Sequence, residues 1–288
     1  SPMSEPVRRD AVAAGFARLS SMQLAGGHFA FWPGESMAQP MMTPYVADLL
    51  LSAREQGEAI PEAVLEAALK RLSEDLLTGG DGYYQYDHAN HLRFAARAYA
   101  GYVLSRVNRA PLGTLRTLFD NQRGQSLTAL PLVHLAVALK LQGDPVRAEA
   151  ALKAADAITG ARPDYLGDYG SEIRDLALIQ VLLRSHGLAD AGTDEGLLRL
   201  VRLIEGRGPQ RWYSTQEQAA LFRLGSLVLS EGEERIGLRV GDEDAARAPA
   251  LLHSLLLDAE RLRGGLTVQP EGEGPIHVVE DLVGFRRT

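Results

Sequence analysis

Two kinds of apolar segment alternate along most of this chain. The first kind is apolar around most of a helical circumference. It comprises PYVADLLLSAREQG from Pro44, HLRFAARAYAGYVLSRVN from His91, LTALPLVHLAVALKL from Leu127 and EIRDLALIQVLLRSHG from Glu172. A last member follows Ser214, with Ala219, Ala220, Leu221, Phe222, Leu224, Leu227 and Val228. A helix that is apolar nearly all round belongs inside a protein. The second kind is amphipathic. In PEAVLEAALKRLSEDLL, residues Val64, Leu65, Ala68, Leu69, Leu72 and Leu76 form one stripe opposite Glu62, Glu66, Lys70 and Glu74. That pattern predicts a surface helix with one buried face. PLGTLRTLFDNQR, PVRAEAALKAADAIT and GTDEGLLRLVRLIEG repeat it, and residues 6–24 read as a first helix with Val7, Val12, Phe16 and Leu19 on one side.

Start signals punctuate the series. Thr43 with Pro44, Asn90, Ser126, Asp144 with Pro145, and Ser171 each suit a helix start. Ser214 with Glu217 three residues on predicts a capping box. The apolar helices begin near residues 43, 90, 126, 170 and 214. Steps of about 36 to 47 residues indicate repeated helical pairs. Alternation of wholly apolar with amphipathic helices favours a closed α/α toroid of inner and outer helices over an open solenoid or an irregular bundle. The expectation is an all-α fold of ten helices in five pairs. A six-pair ring needs two more helices. Because the chain starts abruptly at Ser1-Pro2-Met3, which reads as a tag remnant, that pair is expected upstream.

After about Leu229 the character changes. RIGLRV (235–240), GLTVQ (265–269) and PIHVVEDLV (275–283) carry β-branched residues between Gly, Pro and acidic turns, while residues 245–264 fit helix or buried strand. Asp242, Glu243 and Asp244 read as a solvated acidic turn. The expected organisation is a helical domain over 1–232 and a short β-rich segment over 233–288.

Composition narrows the chemistry. The 288 residues carry a net charge of −7, so no nucleic-acid footprint is expected. There is no cysteine, which excludes disulfides, thiolate metal sites and a Cys nucleophile within this chain. No run of 18 apolar residues is present, so no direct membrane span is expected, and no signal peptide is visible.

All the apolar helices run the same way in a toroid, so their N-termini and preceding loops share one rim. Those loops hold Phe29, Phe31, Trp32, Tyr83, Tyr84, Tyr86, Tyr165, Tyr169, Trp212 and Tyr213. Converging helix N-termini favour an electron-rich group there. The same aromatics also suit a plug over the core. Asp81, Asp87, Asp164 and Asp168 lie near the rim as candidate paired carboxylates for glycoside chemistry, though loop aspartates more often serve turns and caps. His28, His88 and His91 lie on rim loops, with no clear third metal ligand beside the His-x-x-His, and His134 reads as a core residue. No P-loop, dinucleotide fingerprint or nucleophile elbow occurs. No catalytic residue, metal ligand or cofactor is assigned.

FAFWPG followed by TPYVADLLLSAREQGEAIP, then DYGSEIRDLAL, then WYSTQEQAALFRL, in this order and spacing, resembles the thioester (complement-like) domain of the bacterial alpha-2-macroglobulins over roughly residues 6–232. GGLTVQPEGEGPIHVVEDLVGF is similar to the β-rich segment that follows that domain. The resemblance implies an α/α toroid, independently of the alternation above. It implies a non-enzymatic domain of a periplasmic protease-trapping protein, with target proteases and neighbouring domains of the same protein as partners and an inner-membrane anchor elsewhere in it. Many members carry a Cys-x-Glu-Gln thioester. This chain has no Cys and STQEQ is not that motif, so 1–232 reads as a thioester-like domain without its thioester segment. In complement relatives a His near a DG-aromatic loop assists acyl transfer, and His88 and His91 follow DGYYQYD in a loosely similar setting. Candidate rim residues are therefore Trp32, Tyr83, Tyr84, His88, His91, Trp212 and Tyr213. Two alternatives stay open: an α/α-toroid enzyme acting on glycans or terpenoids, suggested by the aromatic rim, and a pure docking domain.

Overall fold

The computed structural model describes residues 4–80, 87–207, 212–231, 236–240, 243–248 and 266–270. The chain divides into two compact units, with the boundary between Leu224 and Gly225. Ten α-helices are described: α1 (Glu5–Ser21), α2 (Met42–Glu55), α3 (Glu62–Thr78), α4 (Ala89–Arg106), α5 (Leu112–Gln122), α6 (Ala129–Leu141), α7 (Pro145–Asp156), α8 (Glu172–Ser185), α9 (Ala191–Gly206) and α10 (Thr215–Glu231). A single 3₁₀ turn (Arg123–Gln125) follows α5. The helical unit is all-α.

Its packing follows the alternation in the sequence. α2 packs on α4, α4 on α6 and α6 on α8, so four of the five helices expected to be wholly buried form one continuous layer. α10, expected to be the fifth, buries only Glu217, Ala220 and Leu224 up to Leu224 and leaves Phe222 76% exposed, so it is not enclosed like the others. The amphipathic helices cover the layer: α3 lies against α2 and α4, α5 against α4 and α6, α7 against α6, and α9 against α8. α6 shows why. Every residue from Leu130 to Leu139 is buried, including His134, and only α4, α5, α7 and α8 together can cover so complete a surface. α3 buries Leu65, Ala68, Leu69, Leu72 and Leu76, five residues of its predicted stripe, while Val64 is partly buried against the core. The main apolar cluster draws on α2 to α7 with Leu182 of α8. α4 and α5 come close at Gly101, where an added side chain would force Leu115 to shift. A Cβ there would lie 2.7 Å from Leu115 Cδ2.

Several predicted starts move. Ser171, Asp144 and the Ser214–Glu217 box cap as expected: Arg174 N–H donates to Ser171 Oγ, Arg147 N–H to Asp144 Oδ1 and Glu217 N–H to Ser214 Oγ. Thr43 instead lies inside α2, where its hydroxyl accepts the Phe29 N–H at 3.2 Å. α4 begins two residues early, with His88 rather than Asn90 at the cap position. Thr128 rather than Ser126 precedes α6, because the chain makes the 3₁₀ turn first and the Ser126 hydroxyl donates to the Thr128 carbonyl. On α1, Phe16 and Leu19 reach the core but Val7 is 54% exposed.

The second unit contains three described strands, β1 (Ile236–Val240), β2 (Glu243–Ala248) and β3 (Leu266–Pro270). They form an antiparallel sheet in the order β2-β1-β3, with a register irregularity at Leu238/Arg239. The predicted strands over 235–240 and 265–269 match β1 and β3. Glu243 and Asp244 belong to β2, not to an acidic turn, because both pair with β1, while Asp242 lies outside the described residues. Residues 275–283 lie outside the described residues.

Leu135 is fully buried at the centre of α6. Leu135→Ala should cost about 2–5 kcal/mol, whereas Leu141→Ala, at a site 41% exposed, should change stability by less than about 0.5 kcal/mol. Chemical denaturation of both variants checks this.

Candidate functional site

Side-chain and backbone bonds tie the loops before α2, α6, α8 and α10 to neighbouring elements. The loop before α2 folds back on itself: Gln39 N–H donates to the Phe29 carbonyl, and Ala30 N–H to the Met22 carbonyl. Gly27 permits this docking. Its φ is +88°, and a Cβ there would lie 2.5 Å from the Ala67 carbonyl oxygen of α3. Phe29 is fully buried in the core, so this aromatic is a core residue and not part of the rim surface. Phe31 meets Tyr169 of the loop before α8 edge to face, with ring centroids 5.1 Å apart. The Tyr169 hydroxyl also donates to Gln39 at 3.4 Å. The loop before α6 joins α4, because Leu127 N–H donates to His91 Nδ1 at 3.1 Å.

The loop before α8 is fixed by a buried charge cluster. Arg162 pairs with both Asp168 and Asp175, and Arg174 pairs with the same two carboxylates and donates to the Asp168 carbonyl. Burial alone would raise the Asp168 pKa, but Arg174 and Arg162 outweigh it and hold the carboxyl at about 2. Around this anchor Tyr165 and Tyr169 both take left-handed backbone conformations, with φ of 56° and 55°. Such residues cost on the order of 1–2 kcal/mol each. Tyr165 is 96% exposed. The cluster continues into α10, where Glu217 accepts from the Ser171 hydroxyl at 2.6 Å, from Arg207 at 2.7 Å and from Ser214 N–H at 2.8 Å.

The candidate residues separate on this frame. Trp32 is 61% and Trp212 is 89% exposed, so both present open rings to solvent. Tyr213 is half-buried under the Arg207 guanidinium, 5.2 Å from its ring centroid. His88 is half-buried at the start of α4. His91 is buried, and its Nε2 has no hydrogen-bond partner. Burial pushes its pKa down to about 4, against the pull of Asp168. Tyr83 and Tyr84, with Asp81, lie outside the described residues. Asp168 is committed to two arginines and serves as a loop anchor, not a free acid. His28 is not placed with His88 and His91: its Nε2 bonds Asp75 of α3 at 2.7 Å. Among the described residues no group of three His, Asp or Glu side chains is placed to hold a metal ion.

A second polar cluster, which the sequence reading did not single out, lies within the helix layer. Asp48 of α2 is 2% exposed. It accepts from Tyr99 at 3.0 Å, from Arg223 of α10 at 3.0 Å and from Arg106 of α4. Arg106 continues to Glu55 at 2.7 Å. His134 stacks on Tyr99 with centroids 4.2 Å apart, and Tyr102 bonds His186 at 3.2 Å. Burial opposes the Asp48 charge, yet Arg223 and Arg106 keep its pKa below the ordinary value. The signal was an Asp in the apolar run VADLLL, because a carboxylate buried there requires cationic partners.

The comparisons with known proteins converge on one name. No family model matches. The chain is 44% identical over 285 residues, 97% of its length, to alpha-2-macroglobulin of Xylella fastidiosa. It spans 17% of that relative. A Salmonella alpha-2-macroglobulin structure reacted with methylamine superposes with a TM-score of 0.76 at 33% identity, covering 94% of this chain and 17% of that one. The Escherichia coli alpha-2-macroglobulin activated by porcine elastase gives a TM-score of 0.73 at 33% identity, covering 94% of this chain and 24% of that one.

Acid should destabilise the fold through its buried histidines. The His91 pKa is lowered from 6.5 to about 4 and that of His134 to about 3, both chiefly by burial. The folded state therefore holds them neutral while the unfolded chain protonates below pH 6.5. Stability is fully present above pH 6.5 and falls as the pH drops towards 4 and then 3, with His91 alone contributing on the order of 3 kcal/mol. Denaturation midpoints from pH 7.5 to 4 should fall accordingly. His134→Phe, which keeps the stack on Tyr99, should flatten the slope.

Proposed function

Because this chain belongs to the bacterial alpha-2-macroglobulin family, we propose that it is a non-enzymatic domain of a larger protein that traps proteases. The observation that carries the reading is the 44% identity over 97% of the chain. The likeness to the E. coli protein activated by elastase supports proteases as targets. We assign residues 1–232 to a domain related to the thioester domain of the family and 233–288 to the start of the domain that follows. The helical pairs are read as part of an α/α toroid, a reading that the continuous α2–α4–α6–α8 layer supports.

The rim is the working face of that domain. Its loops are fixed by Arg162, Arg174 and Glu217, and they present Trp32, Tyr165, Tyr169 and Trp212 to solvent. An exposed aromatic set on an anchored frame suits contact with neighbouring domains of the same protein and with a captured protease. Tyr83, Tyr84 and His88 belong to the same face by sequence position. His91, neutral and buried, supports the rim by accepting the Leu127 N–H. This chain has no cysteine and so supplies no thioester sulfur. A thioester would come from another part of the same protein, with the rim covering it. No helix of the described residues is long and apolar enough to cross a membrane, and the periplasm is the proposed location. Asp168, one of the four candidate carboxylates, is held by Arg162 and Arg174, which weighs against a glycan-cleaving pair that includes it.

The test uses the full-length protein. Cleavage by elastase or trypsin should compact it and retain the protease in a form still active on small substrates but blocked towards protein substrates. Intact protease activity on protein substrates after cleavage would overturn the trapping role. Labelled methylamine incorporation with release of one thiol should accompany a thioester elsewhere in the chain. Trp32→Ala and Trp212→Ala should weaken trapping while leaving helicity unchanged by circular dichroism.

A further inference from the structure

The helices of the first unit are not all held in the same way. α4 and α6 are buried along almost their whole lengths in apolar contact. α10 is different. Within the first unit its buried side chains are Glu217, Ala220 and Leu224, and Phe222 in the same stretch is 76% exposed. Two polar attachments fix it instead. At its start, Glu217 takes the Ser171 hydroxyl of the α8 cap and the Arg207 guanidinium that follows α9. Two turns on, Arg223 reaches Asp48 of α2 at 3.0 Å.

We infer that α10 is a separable helix, clasped to the rest of its unit by the Glu217 and Asp48 attachments and able to lift away while α2 to α8 stay folded.

The physical reason lies in what each attachment leaves behind when it opens. Losing one partner of a buried ion pair is costly when the other is stranded without compensation. Asp48 is not stranded. With Arg223 gone it still accepts from Arg106 and from the Tyr99 hydroxyl, so its charge stays paired. Arg223 is 34% exposed along its side chain, and its guanidinium passes into water. Glu217 keeps the Ser214 N–H, a bond within its own helix start, so α10 remains capped after release. Arg207 is likewise 34% exposed and rehydrates readily. Each clasp therefore opens to a state in which the remaining groups are hydrogen-bonded or hydrated. Opening α4 or α6 would expose a continuous apolar surface with no such compensation. The fold thus contains a low-stability element beside a high-stability one. Its position matters because the boundary between the two compact units falls within this helix, between Leu224 and Gly225.

Hydrogen exchange on the full chain, read by mass spectrometry or NMR, tests the inference. In the wild-type protein the helical amides of residues 219–224 should exchange at least about tenfold faster than those at the centres of α4 and α6. Arg223→Gln should accelerate the α10 amides a further tenfold to hundredfold or thereabouts while α4 and α6 keep their rates. Arg223→Lys should restore part of the protection, and Phe222→Ala should change nothing. Equal protection of α10, α4 and α6 in the wild-type protein would overturn the inference. So would a common acceleration of all three in Arg223→Gln, which would make the pair an ordinary stabiliser of the whole unit.

Discussion

The burial of α6 constrains everything around it. A helix apolar from Leu130 to Leu139 has no face to give to water, so four other helices must enclose it. Once α4, α5, α7 and α8 are committed to that task, the remaining amphipathic helices have only the outer positions left. The layered arrangement follows from this demand more than from any single contact. Gly101 shows how closely α4 approaches α5, since a Cβ there would lie 2.7 Å from Leu115 Cδ2.

Polar clusters then do what apolar packing cannot. Burial of hydrocarbon is non-directional, so it holds helices together without fixing the loops at their ends. Arg162 and Arg174 fix the loop before α8 through Asp168 and Asp175, tightly enough to hold Tyr165 and Tyr169 in left-handed conformations. Asp48 performs a comparable task deeper in the layer, joining α2, α4 and α10 at one carboxylate. The polar bonds that hold α10 come from the same minority of buried polar residues.

Much of this was legible in the chain itself. Ten helices, their alternation and most of the helical boundaries follow from hydrophobic periodicity, because an apolar residue reports its need for burial regardless of where the partner lies. The Ser214–Glu217 box and the Ser171 and Asp144 caps were legible for a related reason: both partners sit within three residues of each other. The misplaced starts at Thr43, Asn90 and Ser126 share one cause. Each of these residues suits a cap locally, but Thr43 has the Phe29 N–H to satisfy, and the 3₁₀ turn delays α6 past Ser126.

The candidate site divides along the same line. The aromatic residues of the leading loops were legible in the sequence, and parallel helices are expected to bring those loops to one side. Which rings face water could not. Phe29 is buried and Trp32, three residues later, is open, a difference set by where the loop turns back onto α3. Nor does sequence show that Asp168 meets two arginines, that His91 is enclosed and neutral, or that Asp48 and Arg223 touch across 175 positions. The sequence by itself determined the helices, the buried or amphipathic character of α2 to α9 and the family, because these depend on local periodicity and composition. The tertiary structure alone decided which charges pair and which rings stay exposed, because pairing energy depends on distance and solvent access between groups that the chain keeps far apart.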